Sequence, residues 1–277
     1  MRLHLFATIS SVLAASTPSL AMSSDRSAPR LAGQRVLVTG AGRGIGQAIA
    51  ILCAKEGAQV AITSRTESEL QDTASKMKES SIYVADVNDQ SQVQSMVKSI
   101  ASQWGGIDIL INNAGSSQAV SGTFDALDSE DFLRLLNLNV VAVHRVTTAV
   151  VPHMKESGKI INISSRAGKI GIPNMAFYVA SKFALEGLTA TMAEELKCRK
   201  IQVNSISPGM VNTKSFPKPH DRTGVRTAES VEDGLFVLLE SGVTGHYLHV
   251  DELDKARKKG MEDARALKPI CESTFDP

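Results

Sequence analysis

Short apolar runs and longer segments with a helical pattern alternate along most of the chain. The short runs are rich in β-branched residues and are typical of buried strands; they cover residues 35–39, 58–63, 82–87, 107–111, 160–163, 201–206 and 246–250. Helical patterns lie between them, over residues 45–53, 90–104, 130–156, 175–197 and 231–239, with a further helix opening at 67–70. This alternation predicts an α/β fold, in which a parallel sheet is covered by helices on both faces.

A glycine-rich turn follows the first predicted strand directly, with the sequence Thr39-Gly40-Ala41-Gly42-Arg43-Gly44-Ile45-Gly46. Glycines allow the backbone to approach phosphate groups, and the N-terminus of the following helix attracts negative charge. The spacing differs from the G-x-G-x-x-G fingerprint, because the third glycine of that fingerprint would fall on Ile45. Because a strand precedes the turn and a helix follows it, the pattern favours a phosphate-binding unit over a purely structural turn.

A second group of polar residues follows the predicted strand 160–163. Ser165 lies just after that strand, and Tyr178 and Lys182 lie four residues apart in a helix, on the same face. A tyrosine has an ordinary pKa of about 10, and a nearby cation lowers it. The phenol could then exchange a proton with an oxygen that the serine holds, which indicates carbonyl/alcohol interconversion. Tyr-x-x-x-Lys alone is a weak motif, since any helix can carry tyrosine at a core edge and lysine in water.

The end of the second predicted strand bears on the choice of cofactor. In dinucleotide-binding folds an acid at this point binds the 2′-hydroxyl of NAD, whereas a basic residue accommodates the 2′-phosphate of NADP. Ser64 occupies the position of the acid and Arg65 follows it, while Arg43 in the glycine turn can reach the same region. The sequence therefore predicts NADP(H), unless both arginines are solvated surface residues.

The N-terminal 30 residues differ from the rest and are assigned to a targeting segment and leader. Basic residues precede an apolar run over 5–15, and small residues end at Ala21, which is typical of a secretory signal peptide cleaved after Ala21. The segment also partly fits an organelle transit peptide, and translation from Met22 would leave a cytoplasmic protein. The apolar run is too short for a stable membrane span.

Composition and charge limit the remaining classes. The 277 residues carry a net charge of +1 without a basic cluster, so no nucleic-acid surface is predicted. Cys53, Cys198 and Cys271 have neither paired nor metal-ligand spacing, so no metal site is predicted. Their scatter also argues against a fully oxidising compartment. We predict one catalytic domain over residues 31–253, followed by a charged tail over 254–277.

Taken together, the motifs make the sequence strongly resemble the short-chain dehydrogenase/reductase family over roughly residues 33–250. The resemblance rests on the glycine turn, Asp86-Val87, Asn112-Asn113-Ala114-Gly115, Asn139, Ser165, Tyr178-Val179-Ala180-Ser181-Lys182 and Pro208-Gly209. It implies a Rossmann-type, doubly wound parallel sheet with three α/β/α layers and the strand order 3-2-1-4-5-6-7. It also implies an NADP(H)-dependent oxidoreductase.

The resemblance further implies roles for individual residues. Tyr178 would be the acid/base, Lys182 would lower its pKa and bind the nicotinamide ribose, and Ser165 would hold the substrate oxygen. Asn139 would keep a water in a proton relay to Lys182, and Asn112 would lie along the cofactor. The residues implied in cofactor binding are Gly40, Arg43, Gly44, Ile45, Gly46, Ser64, Arg65, Asp86, Val87, Asn113, Ala114, Gly115, Tyr178, Lys182, Pro208, Gly209, Val211 and Thr213.

Two regions depart from the family pattern. The last predicted strand runs into a charged tail, which we predict to be a solvated or frayed helix, and the loop after Pro208-Gly209 is short, over about residues 210–227. An apolar substrate is favoured by Ile170, Ile172, Pro173, Met175 and Phe177, which could equally be packing residues.

The predicted partners are a small carbonyl or alcohol substrate and further copies of the chain. The resemblance implies a homodimer or homotetramer that pairs through the helices at 130–156 and 175–197. Two alternatives remain open at this point: an NADP-binding sensor or scaffold with little activity, and an isomerase or dehydratase that uses the same tyrosine.

Overall fold

A computed structural model describes residues 28–118, 121–213 and 223–271 and contains an eight-stranded sheet. The sheet strands are β1 (Arg35–Thr39), β2 (Gln59–Ser64), β3 (Ser81–Val84), β4 (Ile107–Asn112), β5 (Met154–Ile163), β6 (Gln202–Ser207), β9 (His246–His249) and β10 (Leu267–Pro269). A separate parallel pair is formed by β7 (Met210–Val211) and β8 (Val225–Arg226). The sheet order is β10-β9-β6-β5-β4-β1-β2-β3, and every neighbouring pair is parallel except β9 with β10, which is antiparallel. The predicted fold class and the order 3-2-1-4-5-6-7 are confirmed, with β9 as the seventh strand.

Helices cover both faces of this sheet. They are α1 (Gly44–Lys55), α2 (Glu67–Ala74), α3 (Gln90–Trp104), α4 (Ser129–Leu136), α5 (Ala142–Val150), α6 (Ala176–Glu195), α7 (Glu232–Glu240) and α8 (Val250–Lys258). Successive side chains of a strand point to opposite faces. In β1, Val36 and Val38 join a core with residues of α1, α7 and α8, whereas Leu37 joins a core with residues of α3, α5 and α6. Burial on both faces explains why the strands are continuous apolar runs.

The long helix predicted over 130–156 is interrupted in the structure. Helix α4 passes through a π-helical turn, Asn137–Val141, into α5, and a 3₁₀ turn with Pro152 ends the run before β5 begins at Met154. Such π-turns are often found at functional sites. Here the turn contains Asn139, whose side chain is buried.

The residues after Leu253 differ from the predicted solvated or frayed tail. Helix α8 buries Leu253 and Ala256, and β10 then pairs antiparallel with β9 at the edge of the sheet. Arg257 binds both Asp263 and the α7 residue Asp233, which holds this segment against the domain. The apolar spacing of Leu253 and Ala256 gives the charged helix one buried side.

The part of the chain that packs on the domain begins at least one residue before the predicted start at residue 31, because Arg30 already makes contacts with it. The backbone N–H of Arg30 donates to the Glu56 carboxylate over 2.9 Å, and its guanidinium lies over the ring of Phe236. The leader over residues 1–21, the cleavage point after Ala21 and the alternative start at Met22 lie outside the described residues, so localisation stays a prediction.

One helical run in the described part of the chain, Ser129–His153, is long and apolar enough to cross a membrane. Its Leu135, Val143, Val146 and Val150 are buried within the domain. Length and composition of this kind are shared by core helices, and these four side chains pack as core residues do.

Candidate active site

A cleft of about 580 Å³ opens at the carboxyl ends of the parallel strands, where ligands bind in open sheets of this type. It brings together most of the predicted site residues: Gly40, Arg43, Gly44, Ile45, Ser64, Arg65, Asp86, Val87, Asn113, Ala114, Gly115, Ser165, Tyr178, Lys182, Pro208, Gly209, Val211 and Thr213. Gly46 and Asn139 are outside its lining and support it from behind.

The glycine turn is fastened to the segment that follows β4. The Thr39 hydroxyl accepts hydrogen bonds from the N–H groups of Asn113 and Ala114, each over 3.0 Å. The Asn113 amide donates to the carbonyl oxygens of Thr39 and Gly40, also over 3.0 Å. A Cβ at Gly46 would lie 2.3 Å from the Asn113 amide nitrogen, so only glycine fits there. Sequence reasoning placed Thr39 at the end of the first strand and did not predict these hydrogen bonds of its hydroxyl.

The N-terminus of α1 fits a phosphate group. The first N–H groups of a helix lack partners within the helix and attract anions. The first turn of α1 contains no acidic residue, and the Arg43 side chain makes no cap with any described residue. Gly44 has a φ of +60°, and a Cβ there would lie 3.2 Å from the Thr213 methyl carbon. The turn is therefore a cradle suited to the phosphates of a nucleotide cofactor.

Helix α6 brings Tyr178 and Lys182 to the floor of the cleft, one turn apart. Lys182 Nζ lies 5.8 Å from the Tyr178 ring centroid and donates to the Ile163 carbonyl oxygen over 2.9 Å. The Ser165 side chain hydrogen-bonds with the Tyr178 phenol, and its oxygen also accepts from the Ala167 N–H over 3.1 Å. A hydroxyl, a phenol and an ammonium group thus converge at the end of β5.

Burial is the main cause of the pKa shifts of Tyr178 and Lys182. It raises the pKa of the Tyr178 phenol, and the hydrogen bond with Ser165 only partly offsets the rise. Burial also lowers the pKa of Lys182 to about 8, against the opposing charge of Glu186. Desolvation of the phenol therefore outweighs the other effects on its pKa here, and the lowering of that pKa by Lys182 stays a prediction. At neutral pH the phenol holds its proton and can donate it to a carbonyl oxygen.

Asn139 clamps the wall of the cleft to α6. Its Oδ1 accepts from the Ser116 N–H over 3.0 Å, and its Nδ2 donates to the Ser116 carbonyl and the Ser181 hydroxyl over 2.9 and 3.0 Å. These bonds fix the backbone just after Gly115, beside α6. The water relay to Lys182 stays a prediction.

The resemblance implies that Asn112 lies along the cofactor. In the structure Asn112 does not line the cleft. Its amide nitrogen donates to Thr147 over 3.1 Å and to Asn162 over 2.9 Å, and the Asn162 amide donates to Thr189 over 2.8 Å. These buried bonds link β4, α5, β5 and α6. Neighbouring residues of a strand point to opposite faces, so Asn112 is directed into the core and Asn113 toward the glycine turn.

The outer end of the cleft contains the residues predicted to select the cofactor. Ser64, Arg65 and Arg43 all line it, together with Asp86. Arg43 is already paired there: its Nη1 lies 3.1 Å from Oε1 of Glu69, in the first turn of α2. Sequence reasoning missed Glu69, because nothing in its position after the second strand shows which way its side chain turns.

Strand β9 and helix α8 also reach the cleft, through His249 and Asp251. Arg226 of β8 donates to Asp251 over 2.7 Å and pairs with Asp254 of α8. Sequence reasoning assigned no role to these residues. His249 lies in the last predicted strand, Asp251 directly after it and Arg226 in the loop over 210–227, so their meeting depends on packing between separate segments. Burial lowers the pKa of His249, whose Nδ1 accepts from the Asp251 N–H.

The predicted apolar lining is only partly present. Ile172 and Met175 line the cleft. Phe177 is instead buried and stacks on Phe132 with ring centroids 4.6 Å apart, while Ile170 and Pro173 lie outside the lining. Phe177 therefore belongs to the packing alternative.

Comparisons with known proteins agree with this arrangement. Residues 34–222 match the family described as short chain dehydrogenase. The 3-oxoacyl-(acyl-carrier-protein) reductase FabG of Thermotoga maritima is 38% identical over 196 residues, covering 68% of this chain and 78% of that protein. The protein of the same name from Vibrio cholerae is 33% identical over 207 residues, covering 74% of this chain and 84% of that protein.

Solved structures show the same architecture. A short chain dehydrogenase from Burkholderia cenocepacia J2315, in complex with NADP, has a TM-score of 0.73 and 32% identity, covering 79% of this chain and 97% of that chain. Carveol dehydrogenase from Mycobacterium avium, in complex with NAD, has a TM-score of 0.74 and 26% identity, covering 80% and 97%. The fold and the cleft define an oxidoreductase. The chain belongs to the short-chain dehydrogenase family.

Proposed function

We propose that the protein is an NADP(H)-dependent oxidoreductase that interconverts a carbonyl group and a secondary alcohol. The observation that carries this proposal is the meeting of Tyr178, Ser165 and Lys182 in a cleft whose other end is the phosphate cradle of α1. One ligand lying along the cleft would contact both ends. This class of reaction agrees with the names of the curated relatives, because both relatives are named as reductases.

The cofactor supplies the hydride when it is bound. In reduction, the Ser165 hydroxyl and the Tyr178 phenol hold the substrate oxygen, and the proton leaves the Tyr178 oxygen for that oxygen. Lys182 faces the phenol ring and contributes positive charge below a pH of about 8, where its pKa lies. This charge stabilises the phenolate that remains after proton transfer. In oxidation the proton moves in the opposite direction.

The cofactor is NADP(H). Two arginines line the outer end of the cleft, and a serine stands where an acid would bind the NAD ribose. The Burkholderia neighbour is a complex with NADP, while the carveol dehydrogenase is a complex with NAD. The choice for this chain therefore rests on its own residues, Arg43, Ser64 and Arg65.

The substrate has an apolar part next to its carbonyl group. Ile172 and Met175 line the cleft together with Tyr178. A 3-oxoacyl thioester is the first substrate to test, because the names of the relatives describe reduction of 3-oxoacyl groups.

The proposal is tested by following the loss of NADPH absorbance with protein that lacks residues 1–21. The panel contains acetoacetyl-CoA, apolar ketones, aldehydes and quinones. We expect carbonyl-dependent loss of NADPH with at least one class. Conversion of a substrate without loss of NADPH would indicate an isomerase or dehydratase, and binding of NADPH without any turnover would indicate a sensor or scaffold.

We also propose that the protein is a homodimer or homotetramer. Exposed apolar side chains lie on the helical segments predicted to pair: Leu133 on α4, Val141 in the π-turn and Phe183 on α6. A contiguous exposed patch of apolar side chains marks a contact between proteins, and these three lie on neighbouring elements, since α4 and the π-turn both pack against α6. Light scattering at micromolar concentration is expected to give at least twice the monomer mass, and a monomer would contradict the proposal.

A further inference from the structure

We propose that Glu69 limits the preference for NADP(H) by competing with the cofactor's 2′-phosphate for Arg43. The inference rests on the proposed function, since it concerns the selectivity of the same cleft. It makes Glu69, which belongs to none of the family motifs, a specificity-determining residue.

The geometry places Glu69 in the corner where the 2′-phosphate is expected. Its carboxylate is 3.1 Å from the Arg43 guanidinium, and both residues line the cleft with Ser64. Gly42 lies between them: a Cβ built on Gly42 would be 2.9 Å from Glu69 Cβ and 3.0 Å from Ser64 Oγ. Glu69 and Ser64 therefore both lie beside Gly42, and Ser64 is one of the residues on which the NADP(H) prediction rests.

The Arg43–Glu69 pair is exchangeable. The two side chains are 46% and 27% exposed, and partly exposed ion pairs contribute little to stability because water screens them. A phosphate monoester carries about 1.5 to 2 negative charges at neutral pH and offers three acceptor oxygens. It can thus displace the carboxylate from Arg43, but it then lies close to a like charge, which disfavours it.

NAD(H) escapes this penalty, because a neutral 2′-hydroxyl neither needs Arg43 nor repels Glu69. Glu69 therefore weakens the binding of 2′-phosphorylated nucleotides selectively. Arg65 makes no ion pair with any residue in the described part of the chain. It supplies the attraction that remains, so the net preference still favours NADP(H).

The test compares Glu69→Gln with the unchanged protein by calorimetric titration of adenosine 2′,5′-bisphosphate and of 5′-AMP. We expect Glu69→Gln to bind the bisphosphate about three- to tenfold more tightly, the range that removal of one partly screened like charge produces. Binding of 5′-AMP stays unchanged, and the kcat/KM ratio of NADPH to NADH rises by the same factor as the bisphosphate affinity. Glu67→Gln is the matched control, because Glu67 is exposed in the same helical turn and lies outside the cleft lining.

The Arg43→Ala background tests the competition itself. There the gain from Glu69→Gln is expected to shrink, because no guanidinium is left to be released and only the like-charge repulsion is relieved, and a gain of undiminished size overturns the inference. Equal bisphosphate affinities of Glu69→Gln and the unchanged protein also overturn it, while leaving the proposed function in place. Weaker binding of 5′-AMP would make Glu69 a ribose ligand and overturn it too. Failure of the unchanged protein to bind either nucleotide contradicts the inference together with the proposed NADP(H) dependence.

Discussion

Tyr178→Phe is expected to lower turnover by about 10²–10⁴-fold, the usual contribution of general acid–base catalysis. The change removes only the phenol oxygen, which hydrogen-bonds with Ser165, and leaves the ring that Lys182 faces. Because burial raises the pKa of this phenol, it is protonated at neutral pH, as the proposed donor in reduction must be. The measurement is kcat for NADPH oxidation with the best substrate of the carbonyl panel.

Two controls separate a lost proton donor from a lost fold. Tyr83→Phe makes the same chemical change on β3, where the Tyr83 hydroxyl contacts only Gln103, over 3.4 Å, among the described residues; it is expected to keep full activity. Adenosine 2′,5′-bisphosphate should bind Tyr178→Phe as tightly as the unchanged protein. If Tyr178→Phe kept more than about a tenth of the activity, Tyr178 would not be the proton donor.

NADPH is expected to exceed NADH by at least about tenfold in kcat/KM. Hydrogen bonds to charged groups contribute roughly 1.5–3 kcal/mol each, and 1.4 kcal/mol corresponds to about a factor of ten. Arg65 offers such bonds without a competing carboxylate partner in the described part of the chain, and Arg43 offers them in competition with Glu69. The double change Ser64→Asp with Arg65→Ala is expected to erode or reverse the preference, because it replaces attraction for the 2′-phosphate by repulsion.

A control for net charge is available in α2 and just after it. Ser68→Asp with Lys78→Ala alters the charge by the same amount at exposed positions outside the cleft lining, and should leave the NADPH to NADH ratio unchanged. Both double variants should keep kcat with saturating NADPH, since Tyr178 is untouched. Equal use of the two cofactors by the unchanged enzyme would refute the NADP(H) assignment.

Most of the fold was predictable because its signals are local. The strand before Gly40, the glycine turn and the start of α1 lie in one continuous segment, and the period of each element is visible in its own residues. The convergence of Ser165, Tyr178 and Lys182 followed from strand-end and helix-face rules. These rules need no knowledge of distant contacts.

The parts that sequence reasoning missed depend on the direction of a side chain or on packing between distant segments. Asn112 and Asn113 are adjacent, yet one faces the core and the other the glycine turn. The pKa of Tyr178 depends on how deeply α6 is packed, which no spacing reveals. The buried side of α8 becomes visible only once β9 and β10 supply a surface for Leu253.

The ion pairs of Arg226 with Asp251 and Asp254 join β8, which follows the segment after Gly209, to the C-terminal helix. A Cβ at Gly209 would lie only 3.0 Å from Asp251 Oδ1, so the backbone beside the cleft is fitted closely to this pair. Strand β8 and helix α8 are separate in the chain, but these ion pairs join them into one structural unit. A chimaera that imports the 210–227 segment of a relative must import a matching end of the chain as well, or leave two aspartates facing each other without their shared arginine.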